Sequence, residues 1–308
     1  MGCGCSFHYI DIMFRGGLFV FLGACSYGVL STFVKLAYDD GFSLGEVVGA
    51  QVFFGVIILW GIWSFLPQKR AVFANPRVSI TLILSGITTA MVSICYYKCV
   101  QLLPASIAIL LLMQFTWIGI LLDWLICGKR PSLLQLVAVT LILGGTALAG
   151  GLLSSTSQVF SWVGVFYGIV SAVCFSLFIL VSGRVRNSLH PIAKSALLMT
   201  GSCITIFLIF PPMFLVNGSL GGGLAQWALW LSVFGVVIPP VFFAKGMPTV
   251  GIGLGSIISS AELPVAVIMS VVVLHEQLVI LQWLGIAVIL LAIALPSMVF
   301  FMVKRAEH

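Results

Sequence analysis

Apolar residues fill most of the chain in ten long runs that are separated by short polar stretches. The runs cover residues 16–38, 43–65, 78–102, 104–126, 132–150, 160–183, 192–216, 225–247, 251–274 and 278–302. Each is close to the length of about 20 residues that an α-helix needs to cross a bilayer. The pattern predicts ten transmembrane helices. The connections Leu103–Pro104 and His275–Leu278 are so short that each must close a tight antiparallel helix hairpin.

Composition assigns this pattern to an integral membrane protein. Hydrophobic residues make up 61% of the 308 residues and charged residues only 7%, with a mean hydropathy of +1.23, whereas soluble domains carry about 25% charged residues. The apolar runs leave no room for a soluble catalytic domain, and no separate cleavable signal peptide is expected. HExxH, GxSxG and GxxxxGK[ST] motifs are absent from the sequence. We therefore expect an all-α membrane protein that is not an enzyme and needs no metal or other cofactor.

The basic residues predict the orientation. If the amino terminus is cytoplasmic, 11 of the 14 Lys and Arg lie at cytoplasmic ends and loops, as the positive-inside rule requires. They are Arg15, Lys69, Arg70, Arg77, Lys129, Arg130, Arg184, Arg186, Lys194, Lys304 and Arg305. Residues 1–14 and 304–308 are then cytoplasmic tails. The net charge of +6 is explained by topology and does not call for a nucleic-acid partner.

An internal repeat appears when the sequence is shifted by 147 residues. The shift places Lys98 on Lys245, Lys129 on Glu276 and Gln135 on Gln282, and it superposes the third to fifth apolar runs on the eighth to tenth. It predicts two five-helix units, residues 15–150 and 160–303. Because five is odd, the second unit must enter the membrane in the opposite orientation. Inverted repeats of this kind are typical of secondary transporters, whose substrate site lies near the midplane where the halves meet.

Glu262 is the leading candidate for a functional group because it lies near the centre of the ninth run, where an ionised acid costs about 2.5–3.5 kcal/mol. Pro264 provides no N–H, so the carbonyl of Ser260 is expected to lack its helical partner. The residues that share the helix face of Glu262 are small or polar: Gly255, Ser259, Ala266 and Ser270. This face predicts contact with other helices, and we interpret it as the wall of a site.

Several other polar side chains are candidates for the same site. A buried carboxyl group at Glu262 suits proton coupling or the binding of a substrate ammonium, although a purely structural acid near Pro264 is the alternative. Lys98 could pair with a substrate carboxylate, or extend to the membrane interface as lysines near helix ends commonly do. The candidate binding or coupling residues are Glu262, Lys98, Tyr96, Tyr97, Gln114, Trp117, Tyr27 and Ser259. Pro264, Pro239 and Pro240 are the candidate hinges.

The closing hairpin resembles a known family. Its sequences S-S-A-E-L-P-V-A (Ser259–Ala266), L-H-E-Q-L (Leu274–Leu278) and Q-W-L-G (Gln282–Gly285) resemble the EamA-type branch of the drug/metabolite transporter superfamily. The first half departs from the pattern, with Trp117 in place of the proline and Lys129 in place of the hairpin glutamate. The resemblance implies carrier-mediated export of small metabolites, often amino acids, by alternating access.

The sequence therefore predicts a secondary transporter, with a membrane channel or facilitator as the alternative. We expect it to lie in a bacterial inner membrane with both termini cytoplasmic. The expected partners are a small-molecule substrate, the lipid bilayer and, if transport is coupled, protons. The chain is expected to work as a monomer or a homodimer.

Overall fold

The described residues of the chain form a bundle of ten apolar helices. A computed structural model describes residues 3–66, 76–103, 105–128, 130–149, 161–184, 189–275 and 279–306, and these residues form helices and turns with no β-strand. The helices of the first half are α1 (Cys3–Asp39), α2 (Leu44–Ser64), α3 (Pro76–Leu102), α4 (Ala105–Leu112 and Phe115–Cys127) and α5 (Leu133–Ala149). Those of the second half are α6 (Trp162–Arg184), α7 (Pro191–Ile209), α8 (Leu220–Val250), α9 (Ile252–Ser259 and Glu262–Leu274) and α10 (Ile280–Ala306).

Eight of these helices, all except α5 and α10, are long and apolar enough to cross a membrane. The apolar stretches of α5 and α10, Leu133–Leu148 and Ile280–Leu295, are shorter. They correspond to the fifth and tenth predicted segments. The fold is that of an all-α, multi-pass membrane protein, as the sequence predicts.

The helix bounds repeat with the predicted offset of 147 residues. Moved by 147 positions, Ala105–Leu112 becomes Ile252–Ser259 and Phe115–Cys127 becomes Glu262–Leu274. The same offset relates the first residues of α2 and α7 and those of α5 and α10: Leu44 with Pro191, and Leu133 with Ile280. The predicted repeat is confirmed. With five helices in each half, the second half crosses the membrane in the opposite sense to the first.

Helix packing follows the same relationship. α1 packs against α8 and α9, and its equivalent α6 packs against the equivalents α3 and α4. In three contacts a helix faces its own equivalent: α2 with α7, α4 with α9, and α5 with α10. This arrangement is expected when two inverted halves are related by a pseudo-two-fold axis in the membrane plane.

Gln135 and Gln282, which the shift superposes, have the same structural role. The Oε1 atom of Gln135 accepts a hydrogen bond from the N–H of Ser132 at 3.0 Å, and that of Gln282 accepts one from Val279 at 3.0 Å. Each glutamine thus satisfies a backbone donor at the start of its helix, α5 or α10, where N–H groups have no intrahelical partner. Lys129 and Glu276, the other predicted hairpin pair, lie outside the described residues.

Two helices are broken at equivalent points. In α4 the N–H of Thr116 bonds to the carbonyl of Met113 at 3.1 Å, and in α9 the N–H of Leu263 bonds to Ser260 at 3.1 Å. These bonds span three residues rather than four, so both breaks are tightened turns. Pro264 gives the Ser260 carbonyl no N–H, as predicted, but the carbonyl is not left without a partner, because Leu263 provides one. The break precedes Pro264, which lies in the first turn of the second half of α9.

Several element bounds also differ from the predicted ones. The predicted tail of residues 1–14 is helical from Cys3 onward and continuous with α1. α7 ends at Ile209, ahead of the Pro211–Pro212 pair, because proline cannot continue a helix. α8 runs from Leu220 to Val250, longer than the predicted 225–247, and contains π-helical turns at Leu220–Leu224 and Ser232–Val237.

Candidate functional site

A cavity lies between the two halves of the bundle, with walls from α1, α2, α3 and α4 on one side and α6, α7, α8 and α9 on the other. Its volume, counted as the space open to the centres of water molecules, is about 70 Å³. Neither α5 nor α10 contributes a described lining residue. The cavity is therefore central, as expected for the substrate site of an inverted-repeat transporter.

Glu262 brings a carboxyl group into this cavity. It is the first residue of the second half of α9, and it lines the cavity directly after the break at Ser260–Ala261. Its Oε2 atom is buried and has no hydrogen-bond partner among the described residues. The first turn of a helix carries partial positive charge, which favours an acid at this position. The break thus presents one acidic group to the cavity, with an oxygen that no described residue bonds.

Three tyrosines predicted from the sequence line the same cavity: Tyr27 from α1, and Tyr96 and Tyr97 from α3. The hydroxyl of Tyr97 donates a hydrogen bond to Oε1 of Gln51 at 3.0 Å. The Tyr27 ring packs edge-to-face against the ring of Phe175, with centroids 5.7 Å apart. The structure therefore brings Glu262, Tyr27, Tyr96 and Tyr97 together around one space.

The other four candidate residues do not line this cavity. Lys98 is partly exposed, and its Nζ atom donates to Gln101 at 3.3 Å. The indole N–H of Trp117, whose side chain is 41% exposed, donates to Gln114 at 2.8 Å. The hydroxyl of Ser259 donates to the carbonyl of Gly255 one turn back, at 2.8 Å. In the conformation described, the structure therefore does not bring these four to the cavity that the other four candidates line.

Each half of the chain matches the same family model. A model described as the EamA-like transporter family matches residues 14–151 and, a second time, residues 162–298. The chain belongs to the EamA-like transporter family. None of the curated proteins compared with the chain is significantly similar to it in sequence.

Solved structures show the same fold. One crystal structure, described only as that of a protein, shares 17% sequence identity with this chain and has a TM-score of 0.71. The match covers 92% of this chain and 98% of the other chain. At this identity the likeness establishes the fold alone. As a member of the EamA-like family, the chain is a membrane transporter.

Sequence reasoning missed several polar residues of the cavity in this EamA-like protein. Thr89 and Ser93 line it together with Tyr96 and Tyr97, all from α3. Their spacing of i, i+4, i+7 and i+8 places them on one helix face. A polar stripe along an otherwise apolar helix was the signal available in the sequence. Ser31 and Ser202 contribute further polar groups.

The candidate hinges lie at irregular helix segments. Pro239 and Pro240 open the final α-helical stretch of α8, directly after the π-helical turn Ser232–Val237. Gly235 and Val236 of that turn line the cavity, and the hydroxyl of Ser26 on α1 donates to the carbonyl of Phe234 at 2.7 Å. π-helical turns often occur at functional sites. The irregularity of α8 thus coincides with the cavity wall.

Two acids hold chain segments together away from the cavity. Glu46 of α2 accepts hydrogen bonds from Asn217 at 2.8 Å and from Ser43, which ties the segment between α7 and α8 to the start of α2. Asp123 of α4 accepts a bond from the N–H of Gly253 at 3.2 Å, at the start of α9. Neither contact requires a ligand. Among the described residues, no group of three or more His, Cys, Asp and Glu side chains could hold a metal ion.

Proposed function

We propose that this protein is a secondary carrier that exports small metabolites, such as amino acids, across a bacterial inner membrane by alternating access. The observation that carries the proposal is the cavity between two inverted halves, with a carboxyl group at a helix break. Inverted halves that rock around such a site expose it to one side of the membrane at a time. The carrier works as a monomer or homodimer with both termini cytoplasmic.

The carrier couples transport to protons through Glu262. Its buried Oε2 atom has no partner among the described residues, so the carboxyl group can take up a proton or meet a positively charged substrate. A group that holds a proton in one access state and substrate in the other exchanges them across the membrane. Intramembrane acids commonly serve in proton relays of transporters.

The proposal is tested in vesicles that contain the purified protein and are loaded with amino acids and simple amines. Solutes that leave are identified by mass spectrometry, and protein-free vesicles correct for passive leakage. We expect exit that saturates with concentration, is exchanged for the same solute on the opposite side, and is faster when the proton gradient is directed into the vesicle. Glu262→Gln is expected to remove the proton dependence.

Glu46→Gln is the matched control, because Glu46 is a transmembrane-end acid outside the cavity and glutamine preserves an oxygen for its contacts. It should keep the proton dependence. Wild-type pH dependence in Glu262→Gln would rule out coupling through this residue. Flux that neither saturates nor supports exchange would favour the channel alternative.

A further inference from the structure

We propose that the central cavity selects small organic cations, namely primary amines with an aromatic or apolar body and no carboxylate. The inference rests on the proposed carrier function and narrows its substrate from small metabolites in general to amines that lack the carboxylate of an amino acid. It follows from the charge and the walls of the cavity.

The charged side chains of the cavity are few among its described lining residues. Glu262 is the one acidic side chain among the described lining residues, and no Lys, Arg or His is among them. Two described lysines close in sequence to cavity residues bond elsewhere: Lys98 to Gln101, and Lys194 to the carbonyl of Ser182 at 2.9 Å. A buried carboxylate is stable only when it is paired and hydrogen-bonded. In this site the described residues leave the opposite charge to be provided by the solute or by a proton.

The walls of the cavity contain aromatic side chains. Five aromatic rings line the cavity: Tyr27, Tyr96, Tyr97, Phe175 and Phe178. The face of an aromatic ring attracts a cation within about 6 Å of its centre, and more strongly where water is excluded. The same rings offer apolar contact to a hydrocarbon body. An ammonium group on a short aromatic side chain therefore satisfies both kinds of surface.

A carboxylate on a bound solute shares the cavity with Glu262, which opens onto it from the break in α9. Two like charges at close range in low-dielectric surroundings repel strongly. Hydroxyls such as those of Thr89 and Ser93 can donate hydrogen bonds to a solute carboxylate but bring no opposite charge. An amino acid or an organic acid is thus expected to bind less tightly than the corresponding amine.

The test uses four compounds that share a phenylethyl group: 2-phenylethylamine, 2-phenylethanol, phenylalanine and 3-phenylpropionate. Each is titrated against the purified wild-type protein, and the concentration that gives half of the maximal rise in melting temperature is measured, since a ligand that binds the folded state stabilises it. We expect the amine to act at a concentration about tenfold or more below that of each acid, with the neutral alcohol between them. This comparison of the four compounds uses the wild-type protein alone.

Glu262→Gln should remove the advantage of the amine over the alcohol, and Glu46→Gln should retain it. Glu262→Asp, which keeps the charge, should retain part of it. Equal binding of phenylalanine or 3-phenylpropionate and the amine would overturn the selectivity, as would equal binding of the amine by Glu262→Gln. Failure of all four compounds to stabilise the wild type would also overturn it. In each case the vesicle assay decides separately whether the protein is a carrier.

Discussion

The two broken helices have nearly the same backbone and different chemistry. At the break of α4 the N–H of Gln114 bonds to Leu111, and at the break of α9 the N–H of Ala261 bonds to Ile258, each pair related by the 147-residue offset. The residue that follows the break is Phe115 in the first half and Glu262 in the second. The break is therefore a property of the repeated architecture, whereas the acidic group belongs to one half only.

The helix that faces each break differs in the same way. The Phe115 side chain is fully buried, and its ring packs against Phe175 of α6 with centroids 4.7 Å apart. The position of Phe175 corresponds in α1 to Gly28, where an added Cβ would overlap the carbonyl oxygen of Glu262. One break is thus closed by two aromatic rings. At the other break, α1 approaches the backbone of Glu262 directly at Gly28. The Glu262 side chain reaches the cavity. The first is built for packing, and the second offers a polar group to a ligand.

The largest expected effect separates packing from function. Phe115→Ala should lower the free energy of unfolding by about 3 kcal/mol or more, because it removes a large buried ring and leaves a cavity. Glu262→Ala removes a carboxyl oxygen that has no described partner, so the change should be within about 1 kcal/mol while transport is lost. Unfolding by denaturant and vesicle transport measure the two effects. Equal destabilisation by both would make Glu262 a structural acid, the alternative interpretation from the sequence.

A smaller effect is expected where α1 meets the break of α9. Gly28→Val places a side chain against the backbone of Glu262 and the side chain of Val265, and overpacking of this kind typically costs about 1–3 kcal/mol. Gly61→Val is the matched control, because Gly61 is also helical and has open space around its Cβ position. A Gly28→Val protein as stable as the control would mean that the close approach of α1 does not hold the site. Melting temperatures in detergent are sufficient for the comparison.

The sequence predicted the architecture better than the site. Helix lengths, the 147-residue offset and Glu262 follow from local features: apolar runs, turn residues and a charge where charge is costly. Pattern does not tell which face of a membrane helix is inward, because lipid and protein interior are both apolar. Trp117 and Gln114 were therefore expected in the cavity, but they bond to each other outside it. Thr89 and Ser93 line the cavity and were not predicted to do so.

The break in α4 could not be predicted from the sequence, for a different reason. Its residues, Leu112–Phe115, contain neither proline nor glycine, which are the usual signals of an interrupted helix. In α9 the same logic assigned the irregularity to Pro264. Comparison of the halves shows that the turn forms without proline and ends before it. Pro264 thus indicated the correct segment of α9 but is not what causes the break.

The smallest expected effect tests that cause. Pro264 is the third residue of its helical stretch, where backbone N–H groups have no intrahelical partner and proline is tolerated. The Ser260 carbonyl already accepts a bond from Leu263 at 3.1 Å. Pro264→Ala should therefore change the free energy of unfolding by no more than about 0.5 kcal/mol and leave transport near the wild-type rate.

The equivalent position in the first half provides the reciprocal test. Trp117→Pro introduces proline at the third residue of the stretch Phe115–Cys127, where the repeat predicts that the backbone accepts it. The variant loses the bond between the indole and Gln114 at 2.8 Å, so Trp117→Phe is the control that loses the same bond without the ring constraint. Similar melting temperatures for the two variants would support a break fixed by the architecture. If Pro264→Ala abolishes transport, or Trp117→Pro unfolds the protein while Trp117→Phe does not, the two breaks differ in mechanism, and proline acts as a hinge in the second half alone.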